Sequence, residues 1–107
     1  MSLQDVVNHL NNQWLCGNFE IMSHADAADI SFENSIQTDD IIVSYDYCDD
    51  ELDPANINHL VQWLYDDPNG GWNAVRNYLS QQGFAEIEDQ DGSGNGLYYG
   101  AALFRKI

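Results

Sequence analysis

Along residues 2–14 the apolar positions recur at helical spacing. Leu3, Val6, Val7, Leu10 and Trp14 fall three and four apart, so at about 100° per residue they share one stripe. Ser2 stands at the N-cap and Asp5 three residues on, the spacing of a capping box. Gly17 and Asn18 break the pattern. Three short β-prone runs rich in β-branched and aromatic residues follow, at 19–22, 30–32 and 41–47, and supply two or three strands. The clearest alternation is in the third: Ile41, Val43, Tyr45 and Tyr47 share one face and Ser44 and Asp46 the other, with Ile42 as the exception.

A second helix is expected after Asp53 and Pro54, a capping residue followed by a proline in the first turn, where a missing donor costs nothing. Ile57, Leu60, Val61 and Leu64 are its buried stripe, and the cluster Asp67, Pro68, Asn69, Gly70, Gly71 ends it. Trp72, Val75, Tyr78 and Leu79 begin a third helix that Gly83 terminates. Residues 84–88 and 97–104 then flank the Gly-rich run 89–96, which reads as a hairpin with a long loop. The pattern predicts an α+β fold in the order α-β-β(-β)-α-α-β-β. Its short antiparallel sheet of four to five strands is covered on one face by about three helices.

Length adds a bound. A chain of 107 residues is expected to form a single domain over 1–107. With 44% apolar and 12% aromatic residues it carries a core, so its acidity decorates a folded domain. The first residues lack the basic and apolar regions of a secretion signal, and no run approaches the roughly 18 apolar residues of a membrane span; a soluble, cytoplasmic protein is expected. Cys16 and Cys48, 32 apart with no CxxC spacing, are read as two reduced thiols.

Charge changes the picture most. Three Lys plus Arg face 18 Asp plus Glu, a formal net charge of −15. Residues 1–75 hold 14 of the acids and no Lys or Arg, while the last 32 hold 4 acids and all 3 basic residues. Such a chain has no clustered cations with which to bind a phosphate backbone directly. The densest acids are Asp39, Asp40, Asp46, Asp49, Asp50, Glu51 and Asp53, which bracket the central strand and lead into the second helix; Asp66 and Asp67 stand at that helix's far end. Alternate strand side chains lie about 6.7 Å apart, a spacing that can stand in for phosphates. Trp63 falls about 120° off the centre of the second helix's apolar stripe, which makes it a candidate anchor for a partner or else a cover for the sheet edge. Tyr45, Tyr47, Tyr98 and Tyr99 alternate or adjoin on strands, so some pack inward and they are not counted as a binding patch.

Other chemistry is weakly signalled. Asp89, Asp91, Ser93 and Asn95 imitate the opening of a calcium loop, but the position of the closing Glu is Gly100 and the flanks read as strands. His9, Cys16, His24, Cys48 and His59 are scattered over the predicted elements, without zinc-ligand spacing. There is no GxSxG and no phosphate-cradling loop, so neither enzyme nor cofactor is expected. In size and charge the chain is similar to the small acidic inhibitors made by phages and mobile elements, with no motif in common. The expected function is a non-enzymatic, nucleic-acid-mimicking inhibitor of anti-CRISPR or anti-restriction type. Its partner would be a basic nucleic-acid-binding effector or nuclease. An immunity protein neutralising a basic toxin is the alternative, followed by a calcium-binding or housekeeping module built on the 89–96 loop.

Overall fold

The computed structural model describes residues 2–13, 18–30, 32–46, 54–94 and 97–107; for Asn18 and residues 54–57, 91–94 and 97–99 it describes the backbone. Trp14, Cys16, Tyr47, Cys48, Asp49, Asp50, Glu51, Asp53 and Asn95 lie outside the described residues, and so do the expectations that rest on them.

Helix α1, Leu3–Asn11, starts on the expected capping box: Ser2 Oγ accepts from Asp5 N at 3.2 Å and Asp5 Oδ2 accepts from Ser2 N at 2.9 Å. Its stripe buries Val6, Val7 and Leu10. At its end the Asn11 carboxamide bonds both backbone groups of Phe19, Oδ1 accepting the N–H at 2.7 Å and Nδ2 donating to the carbonyl at 2.9 Å. A side chain thereby takes up part of the outer edge of β1, Asn18–Met22, which would otherwise offer itself to another strand.

A four-stranded antiparallel sheet follows, in the order β1-β2-β4-β3, with β2 at Ile41–Asp46, β3 at Phe84–Gly94 and β4 at Leu97–Lys106. The helices α1, α3 (Pro54–Val61) and α4 (Gly71–Gln81) cover one face. Val43, Tyr45, Ala102 and Phe104 there meet Val7, Leu10, Leu60, Leu64, Trp72, Val75 and Leu79. Phe19 packs edge-on to Trp72, with ring centroids 5.1 Å apart.

Four sequence expectations are corrected. Ile30 and Phe32 do not pair as a strand. A one-turn helix, α2 at His24–Ala27, is capped by Ser23, and an irregular segment carries Ile30 and Phe32 inward as apolar plugs, a use that β-propensity does not distinguish from pairing. These residues, with Ala27 and Ile36, cover Ile42 and Leu103, so part of the sheet's second face is buried too and Ile42 belongs to a second small core. The second predicted helix is two pieces, α3 and a π-helical turn over Gln62–Asp66. The Gly-rich run is not a long loop: β3 continues to Gly94, which pairs with Leu97, so two residues separate the paired strands. A bulge between Glu86 and Glu88 shifts the register partway along.

The π turn meets α4 where only glycine fits. Gly71 has φ +50°, and a Cβ there would stand 2.4 Å from the Leu64 carbonyl oxygen.

Candidate interaction surface

The segment 23–40 is tied to the sheet by two carboxylates. Asp40, at the mouth of β2, is 5% exposed. Arg105 on β4 donates to it twice, Nε to Oδ1 at 3.0 Å and Nη2 to Oδ2 at 2.9 Å, and also donates from Nη2 to the Ser35 carbonyl at 2.9 Å. Gln37 N donates to Asp40 Oδ2 at 2.7 Å, and His24 Nε2 donates to the Asp40 carbonyl at 2.7 Å. The Arg105 guanidinium, with help from the Gln37 N–H, holds the Asp40 carboxyl below its ordinary pKa despite burial, and the same bonds raise Arg105. From β3, Glu88 accepts the backbone N–H groups of Glu33 at 2.8 Å and Asn34 at 2.9 Å. Burial pushes the Glu88 carboxyl up, but the bonds from Asn34 and Glu33 outweigh it and leave the pKa lowered.

The other arginine is also paired. Arg76 on α4 is paired with Glu86 on β3, and its guanidinium lies 5.9 Å from the centre of the Trp72 ring. Among the described residues Lys106 is then the one basic side chain of Lys or Arg type without an ion pair, and it is exposed. Two of the three cations are therefore paired with individual carboxylates, and among the described residues Lys106 is the one left unpaired beside the exposed acids.

The structure separates the predicted site residues. Asp39 and Asp46 are exposed but stand at opposite ends of β2, roughly 20 Å apart along the strand. Asp40, expected to meet a partner, is buried in its ion pair, because the turn before β2 points it at Arg105. Asp49, Asp50, Glu51 and Asp53 fall outside the described residues. Asp66, Asp67 and Trp63 come together with His59, Gln62 and Pro68 around a groove of about 390 Å³. Trp63 is half-buried there: its indole N–H donates to Gln13 Oε1 at 2.6 Å and its ring meets Phe19 edge-on at 6.2 Å. Asp67 is engaged locally, accepting from Asn69 N at 2.9 Å.

The calcium-loop pattern is taken up by the sheet. Asp89, Asp91 and Ser93 pair with Ala102, Gly100 and Tyr98 on an extended strand, so their backbone does not wind round a centre as a calcium loop must. Among the described residues no three His, Cys, Asp or Glu side chains converge as a metal site, and no helix is long and apolar enough to cross a membrane.

Sequence reasoning missed the pairing of the arginines, whose partner Asp40 lies 65 residues from Arg105. It also missed a groove of about 350 Å³ on the second sheet face, beyond the part that segment 23–40 covers, lined by Met22, Ile30, Ser44, Asp46, Gln90 and Ala101 among others. No family model, no curated protein and no solved structure matches the chain.

Proposed function

We propose that this chain is a non-enzymatic acidic inhibitor that occupies the nucleic-acid-binding groove of a basic defence or nuclease protein, presenting carboxylates where that protein expects phosphates. It would act in the cytoplasm, where such effectors meet their substrates. The observation that carries this reading is the disposal of the arginines. A surface selected only for solubility mixes both signs. Here Arg105 and Arg76 are each bound to a carboxylate, and the exposed acids Glu20, Asp39, Asp46 and Asp66 are left with one exposed lysine on the whole chain against them. That arrangement gives a field of one sign, which steers a basic partner toward it and replaces the counterions held in the partner's groove.

The test is salt-dependent capture. The immobilised protein is expected to retain a strongly basic protein at low ionic strength and release it as salt rises. Changing Asp49, Asp50 and Glu51 together to lysine should abolish retention while leaving the circular dichroism spectrum unchanged. Recovery only of neutral proteins, insensitive to salt, would refute the reading.

A further inference from the structure

The two faces of the sheet are covered unequally. Among the described residues, helices close one face over Phe19, Val43, Tyr45, Ala102 and Phe104, whereas segment 23–40 closes the other around Ile42 and Leu103. Next to that patch, one row across the sheet runs Glu20, Ser44, Ala101, Gln90 in the pairing register, and Asp46 stands two residues beyond Ser44 on the same face. Ser44, Ala101 and Gln90 of this row line the groove of about 350 Å³, together with Met22 and Ile30 next to the covered patch and Asp46 beyond Ser44. Its volume is at the lower end of the roughly 300–1,000 Å³ of small-molecule pockets, a space suited to one or two side chains.

We propose that this groove receives an arginine side chain from a basic protein partner. The aliphatic stem would lie on Met22, Ile30 and Ala101, and the guanidinium would meet Asp46, with the Ser44 hydroxyl and Glu20 beside it. The proposal rests on the acidic-inhibitor reading and gives it a point of contact.

Three observations converge on this occupant. The floor is apolar and half-buried, so it desolvates a stem instead of a whole charged group, as long basic side chains require. Asp46, which lines the groove, and Glu20, which pairs with Ser44 in the neighbouring strand, are both exposed. Among the described residues the only cation on this face is Arg105, already committed to Asp40 and Ser35. A purely apolar side chain would leave Asp46 without a counter-charge, and a second copy of this chain would bring its own −15 against the first. Arginine suits the site better than lysine, because its planar, weakly hydrated guanidinium can bond a carboxylate through two parallel N–H groups while its stem lies on apolar surface.

The experiment is a titration of the isotopically labelled full chain with a capped hexa-arginine peptide at low salt, followed by amide chemical shifts. The shifts are expected to centre on Met22, Ile30, Ser44, Asp46 and Ala101. Ser44→Phe, which fills the groove without altering charge, and the milder Asp46→Asn should each weaken binding roughly tenfold, the scale of one charge-assisted contact. Shifts centred on Asp39 or Asp66 instead, with both variants binding as tightly as the wild type, would overturn the groove and leave the acidic-inhibitor reading standing. No binding of the peptide by the wild type would overturn both. If Ser44→Phe does not fold, the shift map and Asp46→Asn decide between these outcomes.

Discussion

Arg105, on the last strand, closes on Asp40 through two hydrogen bonds of 3.0 and 2.9 Å and takes the Ser35 carbonyl with the same guanidinium. One side chain thus fixes the start of β2 and the end of the segment that covers part of the second sheet face. It also neutralises one of the chain's three cations against a carboxylate.

Asp40→Ala is expected to lower stability by about 2 kcal/mol, less than a fully buried pair would cost because Arg105 keeps some access to water. Urea denaturation measures this as a lower midpoint at unchanged slope. Since Asp40 is buried, Asp40→Asn should weaken capture of a basic partner only slightly, through the freed Arg105 charge, at temperatures where the variant is folded. A loss of capture equal to that of the Asp49, Asp50, Glu51 reversal would place Asp40 at the interface after all.

Acid should unfold the protein through a few carboxylates. Asp5, Asp40 and Glu88 all have folded pKa values below their ordinary ones, Asp5 through its bond with Ser2, Asp40 through Arg105, and Glu88 through the N–H groups that outweigh its burial. A lowered folded pKa binds fewer protons than the unfolded state, so these groups stabilise the fold above the unfolded values of about 4. That contribution is lost as pH falls through the folded values. The melting temperature should therefore fall steeply below about pH 4. A melting temperature that held or rose over that range would mean that relief of the chain's self-repulsion on protonation outweighs the loss of these bonds.

Two glycines with positive φ should respond differently to alanine. Gly71→Ala drives a Cβ into the Leu64 backbone at φ +50°, and a loss of about 3 kcal/mol or more is expected. Gly83→Ala has φ +86° but open space around it, so only the backbone cost of about 1 kcal/mol applies. Thermal melts of the two variants should rank in that order, and equal losses would contradict the close approach at Gly71.

The sequence made some of this legible and hid the rest for physical reasons. Local signals were readable: the Ser2 and Asp5 capping box, the β2 alternation, Pro54 opening α3 and Gly83 closing α4 all stand as read. Ile30 and Phe32 misled because β-prone side chains also serve as plugs from irregular backbone, and Ile42 looked anomalous only while one sheet face was taken as the core. Residues 89–94 resembled a loop because Asp, Gly and Ser are turn formers, yet β4 offered a partner along the whole run. Of the candidate site, net charge was visible from composition, but which acids are neutralised was not. The pairings of Asp40 with Arg105 and Glu88 with Asn34 span 65 and 54 residues, and nothing periodic marks them.

Salt should stabilise the isolated protein. With a net charge of −15, long-range repulsion opposes the compact state, and raising ionic strength from about 0.01 M to about 0.3 M shortens the screening length from roughly 30 Å to several ångströms. The shielded Asp40–Arg105 pair is weakened far less. A rise in melting temperature is expected over that range, whereas a fall would mean that surface ion pairs outweigh self-repulsion.

The most direct test of the central claim is competition with nucleic acid. Once a basic partner has been captured, duplex DNA or RNA added at fixed ionic strength should displace it in proportion to the partner's own affinity for that nucleic acid, and this chain should in turn release the partner from nucleic acid. Simultaneous binding of both, with neither displacing the other, would contradict the account.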